Sequence, residues 1–368
     1  MLQSGNRNRV VTWASVAILL VLSAPAGAVT TCVDSAASFE AALTDAGTGG
    51  SGNNSDNTVR LVGGTFTTSG APFTFSTASG FALTIEGGYS PTCASQDLAP
   101  GLSVLDGGNV NQALSIQTNG TITVRHLTIR NGFHGGSSDG GGARIILRQL
   151  QPADPMPTLV FDSNVVANNS SDYSVGGMYV SASAPEPNTP AAIAYIENSL
   201  FAGNVAPTVA ALSINLTPGS TSYLTNDTFT KNVNTGPASA TIGLGGGDPT
   251  TLAYVSNTIS YGNTASYDYY LTGFQTVQFN NDDYGTIAGS QPRPGSGANL
   301  IGIDPQFVAS DDFHLQTTSP LLRAGTLTPV GGLPAIDIEG NPRSFAGFVD
   351  IGAYQDTDVI FANSFDSS

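Results

Sequence analysis

The sequence predicts an all-β fold: a right-handed, single-stranded parallel β-helix closed at its N-terminus by a capping helix. Three observations lead there. A seven-residue phrase ending in Asn recurs as "RHLTIRN" (125–131), "SNVVANN" (163–169), "NSLFAGN" (198–204), "NDTFTKN" (226–232) and "NTISYGN" (257–263). Between the phrases lie short β-branched or aromatic runs bounded by Gly, Pro, Asn and Ser, such as "PTLVF", "AAIAYI", "STSYL" and "TTLAYV", which rules out helical repeats. The distance from phrase to phrase varies while the phrase does not, so insertions must sit at one corner of a coil.

Residues 1–28 contain two arginines, an apolar run over 10–22 and the small-residue site Ala26-Gly27-Ala28. This pattern predicts a secretory signal cleaved after Ala28, hence an exported mature chain. No later segment is apolar enough to span a bilayer. Cleavage would lower the 11 Lys and Arg to 9 against 27 Asp and Glu, moving the net charge from −16 to −18.

Residues 29–104 read as a cap and the first coils. The stretch "SAASFEAALTDAG" (35–47) predicts a short amphipathic helix with Phe39, Ala42 and Leu43 on one side, suited to cover open strand edges. "TVRLVGGTFTT" and "FALTIEGGYS" follow as strands. Cys32 and Cys93 make an even count in an exported chain, which predicts a disulfide.

Residues 105–298 carry the repeat, within a total of about eight to ten coils. The closing asparagines Asn131, Asn169, Asn204, Asn232 and Asn263 are spaced 38, 35, 28 and 31 residues apart. Asn tolerates left-handed geometry and can hydrogen-bond the backbone of the next coil, so these five predict a structural ladder along one corner. Residues 299–356 read as the last coils and a closure, and 357–368 as a tail.

Composition narrows the function. Lys231 is the only lysine and the arginines are scattered, so the chain lacks the basic stripe that nucleic acid requires. A glycosidase needs two carboxylates across a sugar; Asp282-Asp283 and Asp311-Asp312 are the pairs available, and both fit turns. A uronate lyase needs converging basic groups. Arg125, His126, Arg130 and Lys231 are the candidates, with Arg130 and Lys231 expected at equivalent corner positions about 14 Å apart. His134 and His314 have no partner at ligand spacing. Tyr261, Tyr267 and Tyr269 form a candidate sugar-stacking face, alternation placing Tyr267 and Tyr269 together and Tyr270 opposite. No cofactor is expected, beyond weak calcium binding by turn Asp and Asn residues.

Several stretches resemble known exported proteins. "GGAR" (141–144), "GGMY" (176–179), "FAGN" (201–204) and "FTKN" (229–232) resemble the paired GGA and FxxN elements of polymorphic-outer-membrane-protein repeats. "NLIGIDPQFV" (299–308), "FHLQTTSPLLRAG" (313–325), "DIEGNPRSF" (337–345) and "VDIGAYQ" (349–355) occur in order and resemble the end of choice-of-anchor Q β-helix proteins. "DVIFANSF" is similar to an IFADGFE-like tail of exported Gram-negative proteins, departing from it at Asn363 and Ser364. The resemblance implies a β-helix at the cell surface or secreted. The expected role is adhesion or binding to a polysaccharide or cell-surface protein as a monomer. The rivals are a polysaccharide lyase or hydrolase and a structural envelope module.

Overall fold

The computed structural model describes residues 28–136, 140–150, 154–183, 192–273, 276–289 and 298–357. Nearly all of the predicted signal and of the tail lies outside these residues. The described chain is a parallel β-helix. Each full coil gives one strand to each of three long sheets, and the strands pair in parallel throughout. The first sheet has nine strands, from Val29–Val33 to Thr276–Asn280. The second also has nine, from Gly64–Thr67 to Leu300–Ile301, and the third has eight, from Phe73–Ser76 to Ile287–Gly289. A narrow four-stranded sheet, Phe133–His134 to Val233–Asn234, follows the second.

Alternation decides which side chains enter the core. Ile122 and Val124 of Thr121–Arg125 point inward, and the register stacks Val124, Phe161, Ile196, Leu224, Val255 and Phe279 in one column. A second column runs Ile129, Val166, Phe201, Phe229, and the last two rings stack at 4.7 Å and 13°. Each such side chain, fully removed from water, contributes about 1.5–3 kcal/mol before entropy is counted. Because like sits on like, the coil length can vary only where the chain leaves the sheets.

The corner between first and second sheets forces one residue per coil into left-handed geometry: His126, Ser163, Asn198, Asn226, Asn257 and Asn281, with φ between 50° and 59°. Asn is the side chain that tolerates this at least cost, which explains the opening Asn of three of the phrases.

The ends are closed differently. Helix Ala36–Ala46 starts with a reciprocal cap between Ser35 and Ser38 and buries Phe39, Leu43 and Ala46, with Ala42 partly buried. Phe39 lies 4.9 Å from Phe73 and 6.0 Å from Phe66, so the helix seals the first coil. The expected disulfide is present, joining Cys32 on the first strand to Cys93 in the loop after Leu83–Tyr89. No helix among the described residues is long and apolar enough to cross a membrane.

The C-terminal segment from about residue 300 does not lie across the last coil. It turns back along the corner of opening asparagines. Asn281 donates to Ala324 O, Asn257 exchanges two bonds with Thr326, Asn226 donates to Asp350 O and Asn198 to Ile336 O. Ile338 and Ala353 cover the outward Leu200 and Ala202, and Leu321 and Ile351 cover Ile259. Thus the phrase's two apolar residues face opposite ways: Leu200 packs under the closure and Phe201 in the core.

Candidate functional site

The closing asparagines form a ladder inside the coil. Gly132 N–H donates to Asn169 Oδ1 at 2.8 Å, and Asn169, Asn204 and Asn232 each donate their backbone N–H to the Oδ1 of the next closing Asn, ending on Asn263. Asn131 does not belong to this row. Thr128–Arg130 pairs with Val165–Ala167, so Asn131 stands opposite Asn168 and Gly132 takes the ladder position. With φ of 52°, Asn131 supplies the left-handed turn, and its amide bonds Asp106 outside. The same offset separates Arg130 from Lys231: Lys231 occupies the left-handed position, one residue later in register than Arg130.

A second buried row, missed in the sequence, lines the other corner. Leu127, Asn164 and Ser199 donate their N–H groups to Asn164 Oδ1, Ser199 Oγ and Asp227 Oδ1, and Thr258 donates to Asp282 Oδ1. The signal was present: a small polar residue directly follows each opening Asn. This assigns Asp282 to the scaffold. Burial raises its pKa well above the usual carboxylate range, and burial raises its neighbour Asp283 to about 7.

The basic candidates do not converge. Arg125 and Arg60 flank the buried Glu86, at 2.6 and 3.1 Å, and Arg130 bonds Asp106 at 2.9 Å. Lys231 donates to Ser310 O and lies over the Phe313 ring. His126 is buried at its corner, where desolvation lowers its pKa.

The three candidate tyrosines share no face. Tyr269 is 0% exposed and packs edge-on against Phe279 in the core. Tyr261 packs under the closure beside Ile259 and Leu315. Tyr267 opens its strand with its ring against Tyr270 at 6.4 Å, so the alternation fails at the strand's first residue. The stacked tyrosines of the outer surface are others: Tyr195, Tyr223 and Tyr254 share one register row of the first sheet, with centroids 4.8 and 5.5 Å apart.

The side chains that do come together lie in the closure, around a cleft of about 410 Å³ lined by Asp312, His314, Gln316, Glu339, Asn341 and Tyr354. Phe307 and Leu315 pair in a short antiparallel bridge, which presents Asp312 and His314 on its turn. Asp337 accepts the N–H groups of Glu339 and Asn341 and so shapes the turn that carries Glu339. His314 is held between two carboxylates, Nδ1 2.6 Å from Asp312 Oδ1 and Nε2 3.1 Å from Glu339 Oε2, and its ring lies 4.3 Å from that of Tyr354. Contrary to the sequence reading, His314 therefore has partners. The Asp312-x-His314 spacing was visible in the sequence, whereas Glu339 arrives only through folding.

Burial depresses the His314 pKa, but the bonds to Asp312 and Glu339 outweigh it and the net shift is upward. The same bond lowers Asp312. Side-chain exposures of 41–44% for the three groups keep the cleft in contact with water. Each ring nitrogen already faces a carboxylate, and among the described residues no three His, Cys, Asp or Glu side chains are placed to hold a metal ion. The arrangement can accept hydrogen bonds: among the described residues, Asp312 Oδ2, Glu339 Oε1 and the side-chain oxygens of Gln316 and Asn341 meet no partner. No protein-family model matches this chain, and no curated protein matches it.

Proposed function

We propose that this chain is an exported β-helix protein of the bacterial cell surface that binds its partner without transforming it, and that the closure cleft takes a glycan. The cleft carries the reading: open acceptor oxygens from carboxylates and carboxamides surround an aromatic ring on a closure fastened along several coils. Those acceptors suit the vicinal hydroxyls of a sugar, which donate to them. Export rests on the signal pattern of residues 1–28, and surface residence on the resemblance to choice-of-anchor Q and polymorphic-outer-membrane-protein repeats.

Titration of the purified chain against a panel of oligosaccharides tests this, with Asp312→Asn/Glu339→Gln as the comparison. Binding to at least one glycan that weakens in the double variant supports the reading. A folded chain that binds none overturns it. Hydrolysis is the second reading, favoured by the two carboxylates on opposite sides of His314; new reducing ends from any polymer in the panel would put it first.

A further inference from the structure

The geometry points to a more specific ligand for this cleft, an amino sugar bearing a free ammonium group; the inference rests on the glycan-binding reading above. Two features carry it. The first is the charge balance. Asp312 and Glu339 face one imidazole between them, so this trio is anionic whether or not His314 holds its second proton. A uronate or sulfated sugar would be repelled there, and the whole chain, at −16, adds to that repulsion. The second is how the carboxylates are used. Each gives one oxygen to His314 and keeps the other, Asp312 Oδ2 and Glu339 Oε1, without a partner among the described residues. The protein's own cation thus occupies one side of both carboxylates, and their remaining oxygens can accept the N–H groups of a second cation.

A sugar fits better than a lysine side chain. A lysine needs a point charge and an apolar groove for its stem, whereas this cleft also offers Gln316, Asn341 and Tyr354 to hydroxyl groups and a ring face. His314 enters as a competitor. Its raised pKa keeps it protonated to higher pH than a free imidazole, and it faces Asp312, Glu339 and Tyr354. Replacing it with an uncharged donor releases the carboxylates for the ligand.

The test is calorimetric titration of the full chain with four probes at mildly acidic pH: a glucosamine tetramer, the same tetramer N-acetylated, tetragalacturonate and tetralysine. The glucosamine tetramer is expected to bind about tenfold more tightly than its acetylated form, with no binding of the uronate. His314→Gln should raise that ratio roughly a further threefold to fivefold, and Asp312→Asn/Glu339→Gln should bring it close to one. Since these side chains are solvent-exposed, an unchanged thermal midpoint verifies folding. Equal or tighter binding of the acetylated tetramer overturns the ammonium assignment and leaves glycan binding standing. Tetralysine binding as tightly as the glucosamine tetramer overturns the sugar assignment. Failure of all four overturns this inference, while the glycan reading beneath it falls only if the wider oligosaccharide panel also shows no binding.

Discussion

Asn204 directs both its backbone N–H and its side-chain amide at the single Oδ1 of Asn232, at 3.1 and 2.9 Å. Its own Oδ1 receives the same pair from Asn169. Replacing Asn204 by Ala therefore strands the Asn169 N–H in a fully buried site. Each buried polar group left unpaired costs about 1–3 kcal/mol, so Asn204→Ala should destabilise by about 3 kcal/mol or more. Urea unfolding followed by circular dichroism measures this. A shift in the midpoint no larger than that of a surface Asn→Ala control would contradict the ladder's role.

The N-terminal cap depends on a covalent tie. The Cys32–Cys93 bridge spans 61 residues of sequence, and in the chain-entropy model a loop of that size stabilises by about 4 kcal/mol. The double Cys→Ser variant should melt at clearly lower temperature. The loss should start in residues 29–104, which hydrogen exchange can localise.

Two buried carboxyls make a contribution to stability that falls as pH rises from acid toward neutrality. Asp283 is fully buried, one oxygen accepting from Ile303 N–H at 3.0 Å and the other unpartnered, and burial raises its pKa from 3.8 to about 7. A carboxyl whose folded value lies above its unfolded value favours the folded state while protonated. That contribution is complete below the unfolded value and is lost as pH rises through the interval up to about 7. Glu197 shifts in the same direction, from 4.5 to about 7, with burial again the main cause. Asp283→Asn should make the decline of unfolding midpoint with pH shallower. A decline as steep as that of the parent would rule Asp283 out as a contributor.

Arg343 joins the closure to the coils. It is 0% exposed and donates to Asn198 Oδ1 at 2.5 Å and to the carbonyls of Gly352 and Ala353 at 3.1 and 2.7 Å. Arg343→Met keeps much of the volume and loses these charged donors, at a cost of about 3 kcal/mol or more. The closure should then exchange amide hydrogens and be cut by protease far faster than the coils near Cys32. Uniform protection along the whole chain would contradict this division.

What the sequence disclosed follows from what a coil must repeat. Strand alternation and the recurrent corner are local demands, so "NSLFAGN" and its relatives revealed the winding and the ladder of corner Asn residues. The reading failed where one residue type serves two purposes. Asn fills both the left-handed corner and the ladder position, and "RHLTIRN" matches the phrase by letters while Asn131 serves the first and Gly132 stands in the second. Tyr269 was misjudged because a large aromatic suits a core column as well as a binding face. The cleft was hidden because its parts come from separate turns of an irregular segment, and no periodicity brings His314 to Glu339.

The fastening of the closure to Asn198, Asn226, Asn257 and Asn281 sets a rule for how such a molecule can change length. Those attachments measure out a fixed number of turns, so a coil inserted among them would pull the returning segment out of step with its carbonyl partners. A coil inserted between Asn131 and Asn169 would lengthen the shaft and leave those four attachments intact, parting Gly340 of the closure from Leu98. Growth by duplication is therefore directed toward one half of the molecule, and the cleft travels with the other half unchanged.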